Sequence, residues 1–164
     1  MARNLITVEQ APSPEADKRL VEFYGYWQGL RQGDNIPYRK DFSPAAIPSL
    51  LPFVVLVDVL DNPRDFRFRL TGSAFDQAVG QELTGQLIGD VFPPDFGSEV
   101  FAGWNAIVEN GGPNWARGSL WREERDFLDW QGVLLPLQAA DGTISQLVGA
   151  AAFNVRTPSR PTTR

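Results

Sequence analysis

Apolar and polar residues alternate most regularly between residues 65 and 71. Phe66, Phe68 and Leu70 occupy every second position, and arginines stand between them. A period of two over this length is typical of a strand with one buried face. A run rich in Val and Leu at residues 53–60 precedes it, and an Asp-Asn-Pro turn separates the two. We therefore predict an antiparallel pair of strands here.

Helical spacing of apolar residues occurs in three places. The first helix is predicted to begin at Ser13-Pro14, because a serine N-cap followed by proline is a common helix start. A short second helix is predicted to end at Gly80 and a longer third helix at Gly111. The apolar stripe of the first helix is Leu20, Phe23, Tyr24, Trp27 and Leu30, and that of the third is Val100, Phe101, Trp104, Ile107 and Val108.

Three more strands are predicted after the third helix, at about residues 115–121, 127–137 and 144–155. The dipeptide Asp141-Gly142 is a strong hairpin signal between the last two. Hairpins at both ends indicate an α+β fold with helices on one face of an antiparallel sheet. The predicted organisation is a flexible tail at residues 1–13, an N-terminal helix and Pro-rich connector at 14–52, a core at 53–155 and a flexible tail at 156–164.

The composition excludes several kinds of chemistry. The 164 residues contain no Cys and no His, and the only Met is Met1. Zinc sites with Cys or His ligands, Ser-His-Asp triads and Cys nucleophiles are therefore excluded. Haem held by His, Cys or Met and the Cys adduct of a flavin are excluded for the same reason. No spacing of acidic residues resembles a Mg²⁺ or Ca²⁺ loop, so no metal site is predicted.

Charge and hydropathy limit the partners. The net charge is −5 and the pI is about 4.7, so we expect no binding to nucleic acid, which basic surfaces attract. The longest apolar stretch, residues 47–60, is interrupted by two prolines and by Asp58. No membrane span is predicted from it, and no signal peptide of the usual form precedes it. We expect a cytoplasmic protein.

Several short motifs, taken in their order and spacing, make the chain resemble a PAS domain. Residues 80–85 and 90–92 resemble the connector that leads to the long helix, and residues 141–142 resemble the turn between the last two strands. More narrowly, residues 18–153 resemble the bacterial PAS-like family that often occurs as a stand-alone domain. The matching pieces are Trp27, Ile36-Pro37-Tyr38-Arg39, Ser43-Pro44, Leu51-Pro52, Phe68-Arg69-Leu70-Thr71-Gly72 and Leu134-Leu135-Pro136-Leu137.

This resemblance implies a five-stranded antiparallel sheet whose first strand is central, between the second and the fifth. PAS domains bind small ligands or cofactors between the sheet and the helices, or dimerise and relay a signal. Their N-terminal helix commonly packs on the far face of the sheet and forms the dimer contact. We therefore expect a homodimer through this helix. With no effector domain of its own, the chain is expected to signal in trans to an unidentified signalling protein.

Nine residues are candidates for a ligand site. Eight are apolar residues that are predicted to line a pocket beneath the helices, with the alternative that they only fill the core. The ninth, Arg69, has a planar guanidinium that suits a ligand carboxylate, and the alternative is a salt bridge at the surface. No catalytic residue is predicted. The eight apolar candidates are Phe68, Leu70, Phe75, Leu83, Phe92, Trp104, Trp115 and Leu135.

We predict a non-enzymatic sensory or regulatory module that binds a small apolar or carboxylate ligand, a partner protein, or both. One alternative is a protein–protein adaptor with a filled core. The other is a small cone-shaped enzyme that uses buried carboxylates for acid/base chemistry. Asp58, Asp76 and Glu99 are the candidate acids, but no pair of them has a spacing typical of such a site. The identity of the ligand or cofactor does not follow from the sequence.

Overall fold

The computed structural model describes residues 5–122, 125 and 128–155. Its six strands form a single sheet in the order β1-β4-β5-β6-β2-β3, and all neighbours are antiparallel. The strands are β1 (Ile6–Glu9), β2 (Val54–Leu60), β3 (Asp65–Thr71), β4 (Asn114–Ser119), β5 (Leu128–Gln138) and β6 (Ile144–Val155), and the helices are α1 (Lys18–Gly29), α2 (Ser73–Val79), α3 (Ile88–Val91) and α4 (Pro94–Asn110).

The predicted α+β fold is confirmed, with one strand more than predicted. β2, the first strand of the predicted core, lies between β3 and β6, as the resemblance implies. The additional strand is β1, which pairs with β4 and lies inside the predicted flexible tail at residues 1–13. A strand of four residues at a sheet edge carries too short an alternation to be distinguished from a tail. The rest of the predicted tails, residues 1–4 and 156–164, lies outside the described residues.

The two faces of the sheet carry separate cores. Val55 and Val57 of β2 face α2, α3 and α4, whereas Val54 and Leu56 face α1 and the connector. α1 packs across β5 and β6. The apolar stripe predicted for it is buried there: Trp27 is 1% exposed and its indole N–H donates to the carbonyl oxygen of Pro136 at 2.9 Å.

The connector between α1 and β2 has more helical structure than a simple linker. It contains three short 3₁₀ turns, at Arg39–Asp41, Pro44–Ala46 and Pro48–Phe53. Phe42, Ile47 and Leu50 of this segment are buried in the same core as α1. The connector therefore covers the far face of the sheet together with the helix.

α1 begins four residues later than the Ser13-Pro14 signal predicts. Asp17 is its N-cap, and the Asp17 carboxylate accepts a hydrogen bond from the backbone N–H of Arg19. The side chain of Arg19 also donates to this carboxylate and holds the pKa of Asp17 below its usual value. The predicted helix ends at Gly80 and Gly111 are confirmed, since both glycines have the left-handed φ that a helix C-cap favours.

A β-bulge changes the alternation predicted for β3. Leu70 pairs with Leu56 and Phe68 pairs with Val57, so Arg69 is an extra residue with no partner on β2. After this extra residue the side chains change faces. Leu70 is therefore 44% exposed rather than buried.

Gly149 of β6 is predicted to be essential for the pairing of β5 with β6. A Cβ at this position would lie 1.9 Å from the carbonyl oxygen of Val133, and no side-chain rotation can relieve a contact with backbone. We expect Gly149→Ala to lower the free energy of unfolding by about 3 kcal/mol, as overpacked sites do, in urea denaturation.

Gly132 of the adjacent strand is the matched control. A Cβ there would first meet the carbonyl oxygen of Ala150 at 3.6 Å, an ordinary contact. We expect Gly132→Ala to change the free energy of unfolding by less than about 1 kcal/mol. Equal urea midpoints for the two variants would contradict the close approach at Gly149.

Candidate functional site

A cavity of about 90 Å³ lies between the helix-side face of the sheet, α4 and β1. Its wall is largely apolar, and seven aromatic side chains contribute to it. Five of the six strands (all except β3), α4 and the segment after β4 all supply lining residues. The aromatic lining residues are Phe75, Phe92, Phe96, Trp104, Trp121, Trp130 and Phe153.

The cavity exists because small residues meet across three strands. Ala116 of β4 is paired with Gly132 of β5, and Gly132 is paired with Ala151 of β6. All three line the cavity, and Val8 of β1 continues the same row beside Ala116. Large residues on the helices opposite are thus separated from the sheet by a gap at this row.

Edge-to-face contacts hold the aromatic wall in place. The ring centroid of Phe92 lies 4.7 Å from that of Trp121, at an interplanar angle of 81°. The Phe75 and Phe153 rings make the same kind of contact at 5.4 Å. Such pairs are favourable beyond the area that they bury. The cavity is therefore preformed rather than created by disorder of its walls.

Glu99 fastens β1 to the rim of the cavity. Its carboxylate accepts hydrogen bonds from the backbone N–H of Leu5 at 2.9 Å and from that of Ile6 at 3.1 Å. Both Ile6 and Val8 of β1 line the cavity, and so does Glu99 itself. One wall of the cavity is therefore an edge strand of four residues that is held at its start by a carboxylate.

Three of the predicted site residues line this cavity: Phe75, Phe92 and Trp104. Phe68 and Leu83 are buried in the same helix-side core but do not line the cavity. Phe68 instead supports the wall, since its ring centroid lies 6.0 Å from that of Phe92 and 5.9 Å from that of Trp104.

The other four predicted site residues lie elsewhere. Trp115 and Leu135 point to the far face of the sheet, where Trp115 contacts Tyr24 of α1 at 5.4 Å between ring centroids. Leu70 and Arg69 are exposed on β3 because of the bulge. None of these four lines the cavity.

Several lining residues were missed by the sequence analysis. Phe96 precedes Val100 and Trp104 at intervals of four along α4, so the helical period could have identified it. Trp121 lies just beyond the end of β4, and no local pattern indicates which way it faces. The contribution of Ile6 and Val8 depends on a strand pairing that connects distant parts of the chain.

The three candidate acids each have a structural partner. Asp58 accepts hydrogen bonds from the side chains of Gln146 at 2.8 Å and Arg67 at 3.4 Å. Asp76 accepts one from the hydroxyl of Thr71 at 2.6 Å. Of these acids only Glu99 lines the cavity. Their contacts are those of residues that tie segments of the chain together.

No group of three or more acidic residues within residues 5–122, 125 and 128–155 is arranged to hold a metal ion. Within the same ranges, no helix has the length and apolar character that crossing a membrane requires.

The comparison with known proteins agrees with this architecture. A family model described as PAS domain matches residues 16–152, and the chain belongs to this family. No curated protein sequence matches the chain.

Similar solved structures are light-oxygen-voltage proteins. An RNA-binding light-oxygen-voltage receptor has 15% identity and a TM-score of 0.48, over 74% of this chain and 35% of that one. The chain thus spans about a third of that receptor. A light-oxygen-voltage domain studied with a flavin analogue has 13% identity and a TM-score of 0.46, over 67% of this chain and 82% of that one. The light-oxygen-voltage domain of the blue-light photoreceptor Aureochrome1, in its light state, has 16% identity and a TM-score of 0.42, over 65% of this chain and 84% of that one.

Glu99→Gln is predicted to loosen β1. The amide offers one acceptor oxygen in place of two charged ones, so the hydrogen bonds to Leu5 and Ile6 become weaker. We expect backbone amide exchange at these two residues to accelerate about tenfold, which corresponds to roughly 1.4 kcal/mol. Hydrogen exchange followed by NMR measures this.

The matched control is Glu109→Gln, an exposed position on the same helix. It changes the net charge equally and should leave the exchange of β1 unaltered. Unchanged exchange in Glu99→Gln as well would show that strand pairing alone holds β1.

Proposed function

We propose that the chain is a sensory PAS module that binds a small, largely apolar ligand in the cavity and signals to a partner protein in trans. The observation that carries the proposal is the cavity of about 90 Å³ with aromatic walls, between the helices and the sheet. Ligand sites are typically concave and mainly apolar, with a few polar groups that orient the ligand. Glu99, Asn114 and Trp121 are polar residues in this lining.

The energetics of an empty cavity support this proposal over an adaptor with a filled core. At about 24 cal/mol for each Å³, the value for enclosed cavities, an empty space of about 90 Å³ costs the fold at most roughly 2 kcal/mol. A ligand that fills the space recovers part of this cost as binding energy. The same space in a pure adaptor would only reduce stability.

The size of the cavity limits the ligand. An engineered cavity of about 150 Å³ binds benzene, and this one is smaller. We therefore propose a ligand of about four to six non-hydrogen atoms, or a larger one of which only such a part enters.

Filling the cavity is predicted to abolish binding. Ala151 lies at one end of the row of small residues, and Ala151→Leu adds three carbon atoms that point toward the cavity. Xenon occupies apolar cavities of this kind, so it serves as a probe that needs no knowledge of the ligand. We expect xenon to shift the NMR signals of lining residues in the wild type and not in Ala151→Leu.

The control is Ala106→Leu, the same change at an exposed position of α4, and it should bind xenon as the wild type does. Native mass spectrometry of the purified wild type tests the proposal directly, because a retained small molecule should be found. Absence of xenon binding to the wild type would contradict a ligand-accessible cavity.

We also propose that the homodimer expected through the N-terminal helix uses the outward face of α1. The Trp27 side of the helix is occupied by the protein's own sheet. On the other side Val21 is 46% exposed, and nothing lies within 4 Å of a Cβ built on Gly25 or Gly29. These three residues are spaced by four and form one face along which a second helix could approach closely.

Val21→Glu is predicted to convert the dimer into a monomer, because it places a charge within an apolar contact. Sedimentation velocity at micromolar concentration measures this. Val155→Glu, at another exposed valine (69% exposed), should remain dimeric. A monomeric wild type would overturn the proposed dimer.

A further inference from the structure

We infer that the ligand is neutral and carries a hydrogen-bond acceptor, which accepts from the indole N–H of Trp121. This inference rests on the proposed function, since it describes the ligand of the same cavity. It goes further by assigning a chemical class: a small ketone, aldehyde, ether or heterocycle, rather than a pure hydrocarbon, an anion or a cation.

The first observation is an unpaired donor. Trp121 lines the cavity, and its indole nitrogen is buried without a hydrogen-bond partner among the residues that the structure describes. A buried N–H that lacks a partner is costly, and such groups are rare in folded proteins. Two other tryptophans satisfy theirs: Trp27 donates to Pro136 and Trp130 donates to the carbonyl oxygen of Ser119 at 3.1 Å.

Water is a poor partner for Trp121. A buried water needs two to four polar neighbours, but the rings nearest to Trp121 are those of Phe92 and Phe96, at centroid distances of 4.7 Å and 5.0 Å. The face of the Phe92 ring can accept a weak N–H···π contact. A ligand oxygen or nitrogen is a stronger acceptor than this face.

Trp115 provides an instructive comparison, because its indole nitrogen is also buried without a partner among the described residues. It lies beside a space of about 20 Å³ on the far face of the sheet, which Arg117 and Gln131 also line. A space of that size, with polar neighbours, suits a single water molecule. The larger, mainly apolar cavity beside Trp121 suits an organic ligand.

The charge of the ligand follows from Glu99. Its carboxylate belongs to the cavity wall, and the described lining residues include neither Lys nor Arg. An anion there would be desolvated near a carboxylate with no cation to offset either charge. The nitrogen of an ammonium group has no lone pair to accept the N–H of Trp121. A neutral acceptor satisfies both conditions.

Two probes of nearly the same shape test the inference. Cyclopentanone carries a carbonyl oxygen, and methylenecyclopentane has a CH₂ group in its place. In ¹⁵N–¹H spectra of the wild type, we expect cyclopentanone to move the indole N–H signal of Trp121 downfield and to leave that of Trp27, which is paired elsewhere, unmoved. We expect cyclopentanone to bind about fivefold more tightly than methylenecyclopentane, as one net hydrogen bond provides.

Trp121→Phe removes the donor and keeps an aromatic ring. We expect it to reverse the preference, so that methylenecyclopentane binds at least about fivefold more tightly than cyclopentanone, because the buried carbonyl then has no donor; the indole signals of Trp27 and Trp130 show that the fold is retained. If the variant does not fold, the affinity ratio and the Trp121 shift in the wild type decide the question. Isobutyrate, an anion of similar size, should bind at least tenfold more weakly than the ketone.

The outcomes separate this inference from the proposed function. Equal wild-type affinities for the two neutral probes, or an unmoved Trp121 signal, would overturn the hydrogen bond and leave an apolar ligand site intact. Tighter binding of isobutyrate than of cyclopentanone would overturn the neutral class. If xenon and both neutral probes fail to bind, the ligand site itself is wrong.

Discussion

The register of β4, β5 and β6 is the constraint on which the cavity depends. It aligns Ala116, Gly132 and Ala151 in one row on the helix-side face. Because side chains alternate along a strand, a slip of one residue in β4 would replace Ala116 by Trp115 at this face. The indole would then occupy the space where the cavity lies. The backbone hydrogen bonds of the sheet therefore determine whether the cavity exists at all.

Packing on the other face of the sheet helps to hold that register. Trp115 and Leu135 point away from the cavity into a core that α1 and the connector cover. Each is the neighbour in sequence of a residue that faces the helix-side core or the cavity. The closely packed far face thus holds the strands in the one register that leaves the near face hollow. Stability and a cavity are supplied by alternate residues of the same strands.

The sequence was informative where a pattern is local. The stripe of α4, the glycine stops at Gly80 and Gly111 and the Asp141-Gly142 turn were predicted from neighbouring residues alone. β1 was missed because a four-residue edge strand is defined by its partner rather than by its own composition. The bulge at Arg69 was missed for the same reason, since an extra residue is only visible once β2 lies beside it.

The candidate site was harder to predict than the fold. β5 is buried on both faces over much of its length, so its apolar run has no alternation that would assign Leu135 to one face or the other. Trp115 has the same ambiguity in β4. By contrast, Phe75, Phe92 and Trp104 lie on or beside helices whose period of 3.6 identifies the side that faces the sheet. Half of the cavity wall could therefore be inferred, and the strand half could not.

β1 connects the cavity to the N-terminal part of the chain. Its Ile6 and Val8 lie against the cavity, and Glu99 binds its first amides. Under the proposed function, a ligand that contacts these two side chains gains those contacts only while β1 is paired with β4. Thermodynamic linkage then makes two effects equal. The ligand raises the equilibrium constant for pairing β1 with β4 by some factor, and pairing raises the affinity for the ligand by that same factor. The segment after β1 leads directly into α1, so the element that closes the cavity and the element proposed to form the dimer are consecutive in the chain.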